Sequence, residues 1–273
     1  MDLVISNVSK TYSNGVRALN NVSLTIPKGM FGLLGPNGAG KSSLMRTIAA
    51  LQDADEGTIQ FGYINALEQK DEIRKRLGYL PQEFGLYPNL SAETILDHFA
   101  LLKGIVSPKQ RKEIVASLLE QTNLYAVRKK NVGGFSGGMK QRLGIAIALV
   151  GEPELVIVDE PTAGLDPTER NRFLNLLGEI GENVVVILST HIVEDVRELC
   201  SSMAIINKGE VLLSGSPEAV IGEVQGKIWR KTVEKSELER YHRDFSVIST
   251  RLVAGKPVIH VFSETQPEES FVN

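Results

Sequence analysis

A single cysteine, Cys200, stands among 273 residues, so no disulfide can close within the chain. That excludes a disulfide-stapled secreted scaffold and suits a reducing compartment, with the thiol read as a small packed residue. An excess of one charge is also missing: 30 Lys and Arg against 33 Asp and Glu leave a net charge of -3. This balance does not supply the basic footprint that points to nucleic acid, and no nucleic-acid partner is expected. Long apolar runs are lacking too. The most apolar stretch, LGIAIALVGEPELVIVDEP, is broken by Gly151, Glu152, Pro153 and Glu154 before it reaches the ~20 residues that span a bilayer. The opening MDLVISNVSKTYSNG has neither the basic start nor the apolar core of a secretory signal. Internal repeats, low-complexity tracts and sustained heptads do not occur. If the chain serves a membrane process, it is expected to do so from the water side.

What is present is the composition of an ordinary globular protein, 42% hydrophobic and 23% charged. It suffices for one large domain or one domain with a small appendage. LVISNVSKTY and ALNNVSLTIPKG read as strands, the second alternating at Val22, Leu24 and Ile26. Phe31 to Leu34 is a short apolar run that enters a glycine-rich turn, and KSSLMRTIAAL follows with helical character. Leu155–Val158 and Val184–Leu188 are β-branched and nearly free of polar residues, which suits a parallel sheet covered on both faces. The stretch from about Ser91 to Leu149 is mostly helical. Within it Ser107-Pro108-Lys109-Gln110 predicts an N-cap serine, a proline at the first helical position and a capping-box glutamine. Another helix is predicted from Asp166-Pro167, burying Phe173, Leu174, Leu177 and Ile180, with Gly181 as its stop. After Gly215-Ser216-Pro217 the pattern changes to strand, helix, strand, strand. The expected division is a domain over 1–216, with a helical part over about 91–150, and a small carboxy-terminal extension over 217–273.

The chemistry begins at Gly35-Pro36-Asn37-Gly38-Ala39-Gly40-Lys41-Ser42, a phosphate-loop pattern set between an apolar strand and a helix. Glycines let successive backbone N–H groups converge on phosphate oxygens, and the helix start adds partial positive charge. Lys41 is expected on the β- and γ-phosphates, and the Ser42 hydroxyl on Mg²⁺, with Ser43 completing the cradle. Downstream, Leu155-Val156-Ile157-Val158 ends in two carboxylates, Asp159 and Glu160. Beside the phosphate loop, Asp159 can hold Mg²⁺ and Glu160 can take a proton from, or orient, the attacking water. These motifs together describe a nucleoside triphosphatase.

Gly134-Phe135-Ser136-Gly137-Gly138-Met139-Lys140-Gln141-Arg142 narrows the reading. It resembles the signature of ATP-binding-cassette proteins, with Phe135 and Met139 in place of the usual leucine and glutamine and the Ser136, Gly137, Gly138 core intact. The resemblance extends over about residues 1–215. It implies an α/β fold: a phosphate-loop NTPase core with a mixed or parallel sheet, an antiparallel β subdomain and a helical signature subdomain, followed here by a small α+β extension. It implies that ATP with Mg²⁺ is hydrolysed in a head-to-tail dimer, with a second copy or a paralogous cassette, in which the signature meets the γ-phosphate held opposite. Tyr12 matches the aromatic that stacks on adenine. Gln82, in Tyr79-Leu80-Pro81-Gln82, matches the glutamine that senses Mg²⁺ and the membrane partner. Asp166, in Gly164-Leu165-Asp166, matches the loop crossing the dimer interface and can also cap a helix. His191, in Ser189-Thr190-His191, matches the switch histidine.

The expected role is therefore an ATPase subunit on the cytoplasmic face of a membrane, driving a separate integral permease. Tyr79-Leu80-Pro81-Gln82 with Leu86-Tyr87-Pro88-Asn89-Leu90, and Val132-Gly133-Gly134, resemble cassettes of drug, antibiotic or polymer exporters. Those often end in Pro-x-x-Glu-x-aromatic, which Pro267-Glu268-Glu269-Ser270-Phe271 approximates. Two alternatives stay open: a regulatory cassette beside a membrane protein that transports nothing, and a ribosome- or chromosome-acting cassette. One phosphate loop, one signature and the absence of heptads count against the second.

Overall fold

A computed structural model describes residues 1–273. They form two compact units, Met1–Pro217 and Glu218–Asn273. The first begins with β1 (Leu3–Thr11), β2 (Arg17–Ile26) and β3 (Gly29–Leu34), then α1 (Lys41–Ile48), β4 (Glu56–Phe61), β5 (Ile64–Asn65), α2 (Lys70–Arg76) and β6 (Leu77–Leu80). Its middle is helical: α3 (Ala92–Leu102), α4 (Pro108–Gln121) and α5 (Gly137–Ala148). It closes with β7 (Leu155–Asp159), α6 (Pro167–Gly181), β8 (Val185–Thr190), α7 (Val193–Leu199), β9 (Ser202–Asn207) and β10 (Glu210–Gly215).

A four-stranded sheet in the order β2-β1-β4-β5 is antiparallel throughout. A six-stranded sheet runs β10-β9-β3-β8-β7-β6, parallel except for the β9–β10 hairpin. All five residues of β7 are buried, as the apolar run requires of a strand covered on both faces. Each such Leu, Val or Ile contributes roughly 1.5–3 kcal/mol relative to exposure. One core cluster joins the two sheets through residues such as Leu3, Ile5, Phe31, Leu44 and Ile157. A separate cluster, with Leu96, Leu119, Val132, Phe135 and Leu143, holds α3, α4 and α5 together.

Two local expectations are corrected. Ser107 does cap α4, its Oγ accepting from Gln110 N at 3.5 Å, but no reciprocal bond from the Gln110 side chain closes a capping box. Gly181 is the last residue inside α6 and does not adopt a left-handed conformation. Its missing side chain serves packing, because a Cβ there would lie 2.6 Å from Met30 Cγ.

The second unit holds α8 (Pro217–Val224), β11 (Ile228–Thr232), α9 (Leu238–Asp244), β12 (Val247–Val253) and β13 (Lys256–Phe262). Its three-stranded antiparallel sheet runs β11-β13-β12 around Tyr241, Ile259, Val261 and Phe271. Phe271 is 1% exposed, and Glu268 pairs with Lys231 at 2.7 Å. Through Phe271 the terminal segment thus reaches this unit's core.

Candidate functional site

The parallel strands β3, β8, β7 and β6 are consecutive neighbours, and their carboxyl ends lead into the phosphate loop, His191, Glu160 and Gln82 respectively. Ligands of open α/β sheets bind outside that edge. Gly40 enters α1 with φ 107°, and a Cβ on it would lie 2.5 Å from the Ala18 carbonyl oxygen. Only glycine fits there. No side chain caps α1, which leaves its first amides, those of Lys41, Ser42 and Ser43, to an anion.

Lys41 is 6% exposed, and its Nζ donates to the carbonyl oxygens of Gly35 at 2.6 Å and Pro36 at 3.3 Å. It also pairs with Glu160 Oε1 at 3.4 Å. The other Glu160 oxygen, Oε2, lies 2.7 Å from His191 Nδ1. Glu160 itself has φ 48°, a left-handed backbone uncommon outside glycine, held by its N–H donating to Ser189 O at 2.9 Å. Lys41 and His191 thus both reach Glu160, one on each oxygen.

Ser42 Oγ donates to Asp159 Oδ2 at 3.0 Å, while Asp159 Oδ1 is buried without a hydrogen-bond partner. Burial pushes the Asp159 carboxyl above the usual carboxylate range, against the hydrogen bond from Ser42. A hydroxyl and an unsatisfied carboxylate oxygen fit a hard cation.

Tyr12 follows β1, and its hydroxyl bonds Ser43 Oγ at 2.9 Å and donates to Gln52 Oε1 at 3.0 Å. Gln52 Nε2 in turn donates to Ser43 O and Thr47 Oγ1 at 2.9 and 2.8 Å. Tyr12, Val16, Arg17, Ser43 and Lys208 line a cleft of about 460 Å³ beside Lys41 and Ser42. Gln52 and Lys208 were not legible as site neighbours, because nothing in the sequence brings their segments to the phosphate loop.

The signature lies apart. Ser136 caps α5, its Oγ accepting from Met139 N at 3.2 Å, and Ser136 and Gly137 are exposed. Phe135 is buried in the helical cluster and Met139 packs against it, so both departures from the family pattern are apolar packing positions. A Cβ on Gly138 would lie 2.3 Å from Glu169 Oε2, and Glu169 also pairs with Arg142 of α5 at 3.4 Å. Glu169, legible in the sequence only as part of the α6 start, thus seats the signature helix on α6. Asp166 caps α6, Oδ1 accepting from Thr168 N and Glu169 N at 2.9 Å. Gln82 is exposed and makes no bond to the Ser42–Asp159 pair. It lines a groove of about 640 Å³ with Phe84, Leu86, Pro88, Gly133 and Gly137. Cys200 is buried, and burial together with the Asp195 charge pushes its thiol up to about 12, which keeps it unreactive.

Comparison with known proteins agrees with this geometry. Residues 19–163 match the family described as ABC transporter. NatA, an ABC transporter ATP-binding protein of Bacillus subtilis (strain 168), is 38% identical over 211 residues, 75% of this chain and 84% of NatA. LnrL, a linearmycin resistance ATP-binding protein of the same organism, is 35% identical over 226 residues, 82% of this chain and 72% of LnrL. The dimeric post-hydrolysis structure of the cassette MJ0796 with ADP and Pi superposes with a TM-score of 0.72 at 28% identity, covering 79% of this chain and 98% of that one. No helix here is long and apolar enough to cross a membrane. The chain belongs to the ABC transporter family, as an ATP-binding subunit whose ATPase activity is coupled to transport.

Proposed function

We propose that this subunit powers export through a separate permease by ATP-driven closing and opening of a head-to-tail dimer of cassettes. The observation that carries this reading is the division of the phosphate-binding parts. Lys41, Ser42, Asp159, Glu160 and His191 cluster at one sheet edge, whereas Ser136 and Gly137 lie exposed at another helix start on the same chain. A second copy, or a paralogous cassette, supplies the missing half of each site.

In the closed dimer Gly35–Ser43 hold the phosphates, with Lys41 on the β- and γ-oxygens, and Tyr12 stacks on adenine. Ser42 and Asp159, joined by Gln82 once its loop moves in, would hold Mg²⁺, which would supply positive charge against the phosphates. Glu160 accepts a proton from the attacking water or orients it, and His191 steadies the γ-phosphate. Ser136, Gly137 and Gly138 of the opposing cassette cover that phosphate through a hydroxyl and helix-start amides, and Asp166 crosses the interface. Phosphate loss removes the charge that held the halves together.

The permease docks on the water side at the groove beside Gln82, where Phe84, Leu86 and Pro88 offer apolar contact. Export is favoured by the likeness to LnrL, by the Leu86–Leu90 segment and by the extension after Gly215. Residues 1–216 act as the cassette, and 217–273 form a small carboxy-terminal extension. The test is the mass in solution of Glu160→Gln with and without ATP and Mg²⁺. An ATP-dependent shift from monomer to dimer, abolished by adding Ser136→Arg, is expected; a chain that binds ATP yet stays monomeric overturns the homodimer.

A further inference from the structure

Four residues beyond His191, Asp195 is 0% exposed, a carboxylate sealed inside the protein. Its Oδ2 accepts from Thr162 Oγ1 at 2.9 Å, and its Oδ1 accepts from Arg170 Nε at 2.8 Å and from the same guanidinium's Nη2 at 2.5 Å. These partners come from places that matter. Thr162 stands two residues after Glu160 and is 4% exposed, and Leu165 N donates back to Thr162 O at 3.2 Å. Arg170 lies one turn into α6 from its cap Asp166, its N–H donating to Asp166 O at 2.9 Å. One buried carboxylate thus ties both ends of the Thr162–Asp166 loop to the helix that follows His191.

That helix has no room to slide. Val196, the next residue, packs onto β3 so closely that a Cβ on Gly32 would lie 2.4 Å from Val196 Cγ1. His191 itself is held loosely by comparison: its side chain is 57% exposed and lies between β8 and α7. Its only side-chain bond is the one to Glu160.

A buried ion pair of this kind is poor at adding net stability, since well-packed apolar residues of similar volume commonly do as well or better. What it provides is a defined geometry between the segments it joins. We infer that Asp195, Thr162 and Arg170 are positioning residues that hold the Asp166 loop in register with His191, so that the state of the dimer interface sets the placement of the switch histidine. This rests on the composite-site reading above.

The test uses Thr162→Val, which removes the hydroxyl donor at nearly constant shape, and Thr162→Ser, which keeps it. With the full-length protein, ATP affinity is expected to stay within about twofold for Thr162→Val while kcat falls at least ~10-fold, as displacement of a catalytic group does. Thr162→Ser is expected to return kcat to within about threefold of the unsubstituted chain, because its hydroxyl still reaches Asp195. In a His191→Ala background, Thr162→Val is expected to cost no more than about twofold, since both act through one group. A Thr162→Val chain with unchanged kcat, or one losing kcat and melting temperature together without rescue by serine, overturns the network. A cost from Thr162→Val that adds in full to that of His191→Ala overturns it as well. If Glu160→Gln forms no ATP-dependent dimer, the composite-site reading falls and the coupling falls with it. A normal dimer with normal Thr162→Val turnover removes the coupling alone.

Discussion

Two helix starts in this chain carry glycine-rich phosphate motifs, and they are built differently. At α1 the cap is Gly40 in a left-handed conformation, with no side chain over the amides and a buried lysine within reach of Glu160. At α5 the cap is Ser136 in extended conformation, its hydroxyl already engaged with Met139 N, and a carboxylate, Glu169, sits against Gly138. The first start can hold a polyanion by itself: it has free amides, a cation and hydrogen-bond donors. The second offers the weak partial charge of its first amides on an exposed surface, its neighbour Glu169 being paired with Arg142 and Arg172. Under the proposed composite site, another molecule brings the phosphate to this second start. The asymmetry is the physical basis for reading the chain as half of two shared sites.

The strongest way to sharpen this contrast is Glu160→Gln, expected to lower kcat by about 10²–10⁴ while leaving ATP binding at α1 intact, read by steady-state turnover and equilibrium binding. Next comes Gly40→Ala. A Cβ would press on the Ala18 backbone oxygen at 2.5 Å in a left-handed conformation. With strain of about 1–3 kcal/mol, ATP affinity in a direct titration is expected to fall by about 5- to 150-fold. Gly138→Ala should behave otherwise, because the atoms it meets belong to the Glu169 side chain, which can move. Monomer ATP affinity should be unchanged and turnover reduced by about three- to tenfold, through displacement of the α5 start at the interface. Equal loss of ATP affinity in the two alanine variants would break the comparison. The smallest effect is expected for Tyr12→Phe. Losing the hydroxyl bonds to Ser43 and Gln52 should raise the ATP dissociation constant by about two- to tenfold, the range of one net hydrogen bond, with kcat preserved.

The elements that were legible owe it to local causes. Unbroken β-branched apolar runs marked β7 and β8, and the proline and Asp166 cap marked the start of α6. The motif residues Lys41, Ser42, Asp159, Glu160 and His191 were nameable because each ends a strand or opens a helix in a recognisable pattern. Less legible were residues whose meaning lies in a distant neighbour. Gly181 looked like a helix stop, but its bareness answers to Met30. Pro267–Phe271 looked like a degraded tail motif, yet Phe271 is a core residue of the second unit.

By itself the sequence determined the chemistry on offer: a phosphate loop, two carboxylates after an apolar strand, a signature, a histidine at a strand end, and the family these imply. Such motifs are short because backbone geometry and charge act over a few residues. Tertiary structure alone decided which of them meet. It set Lys41 and His191 on opposite oxygens of Glu160, left Asp159 Oδ1 unsatisfied beside Ser42, and enclosed Asp195 between Thr162 and Arg170. Those contacts depend on the order of strands in the sheet and on how closely helices can approach it, and both are settled by packing across the whole core.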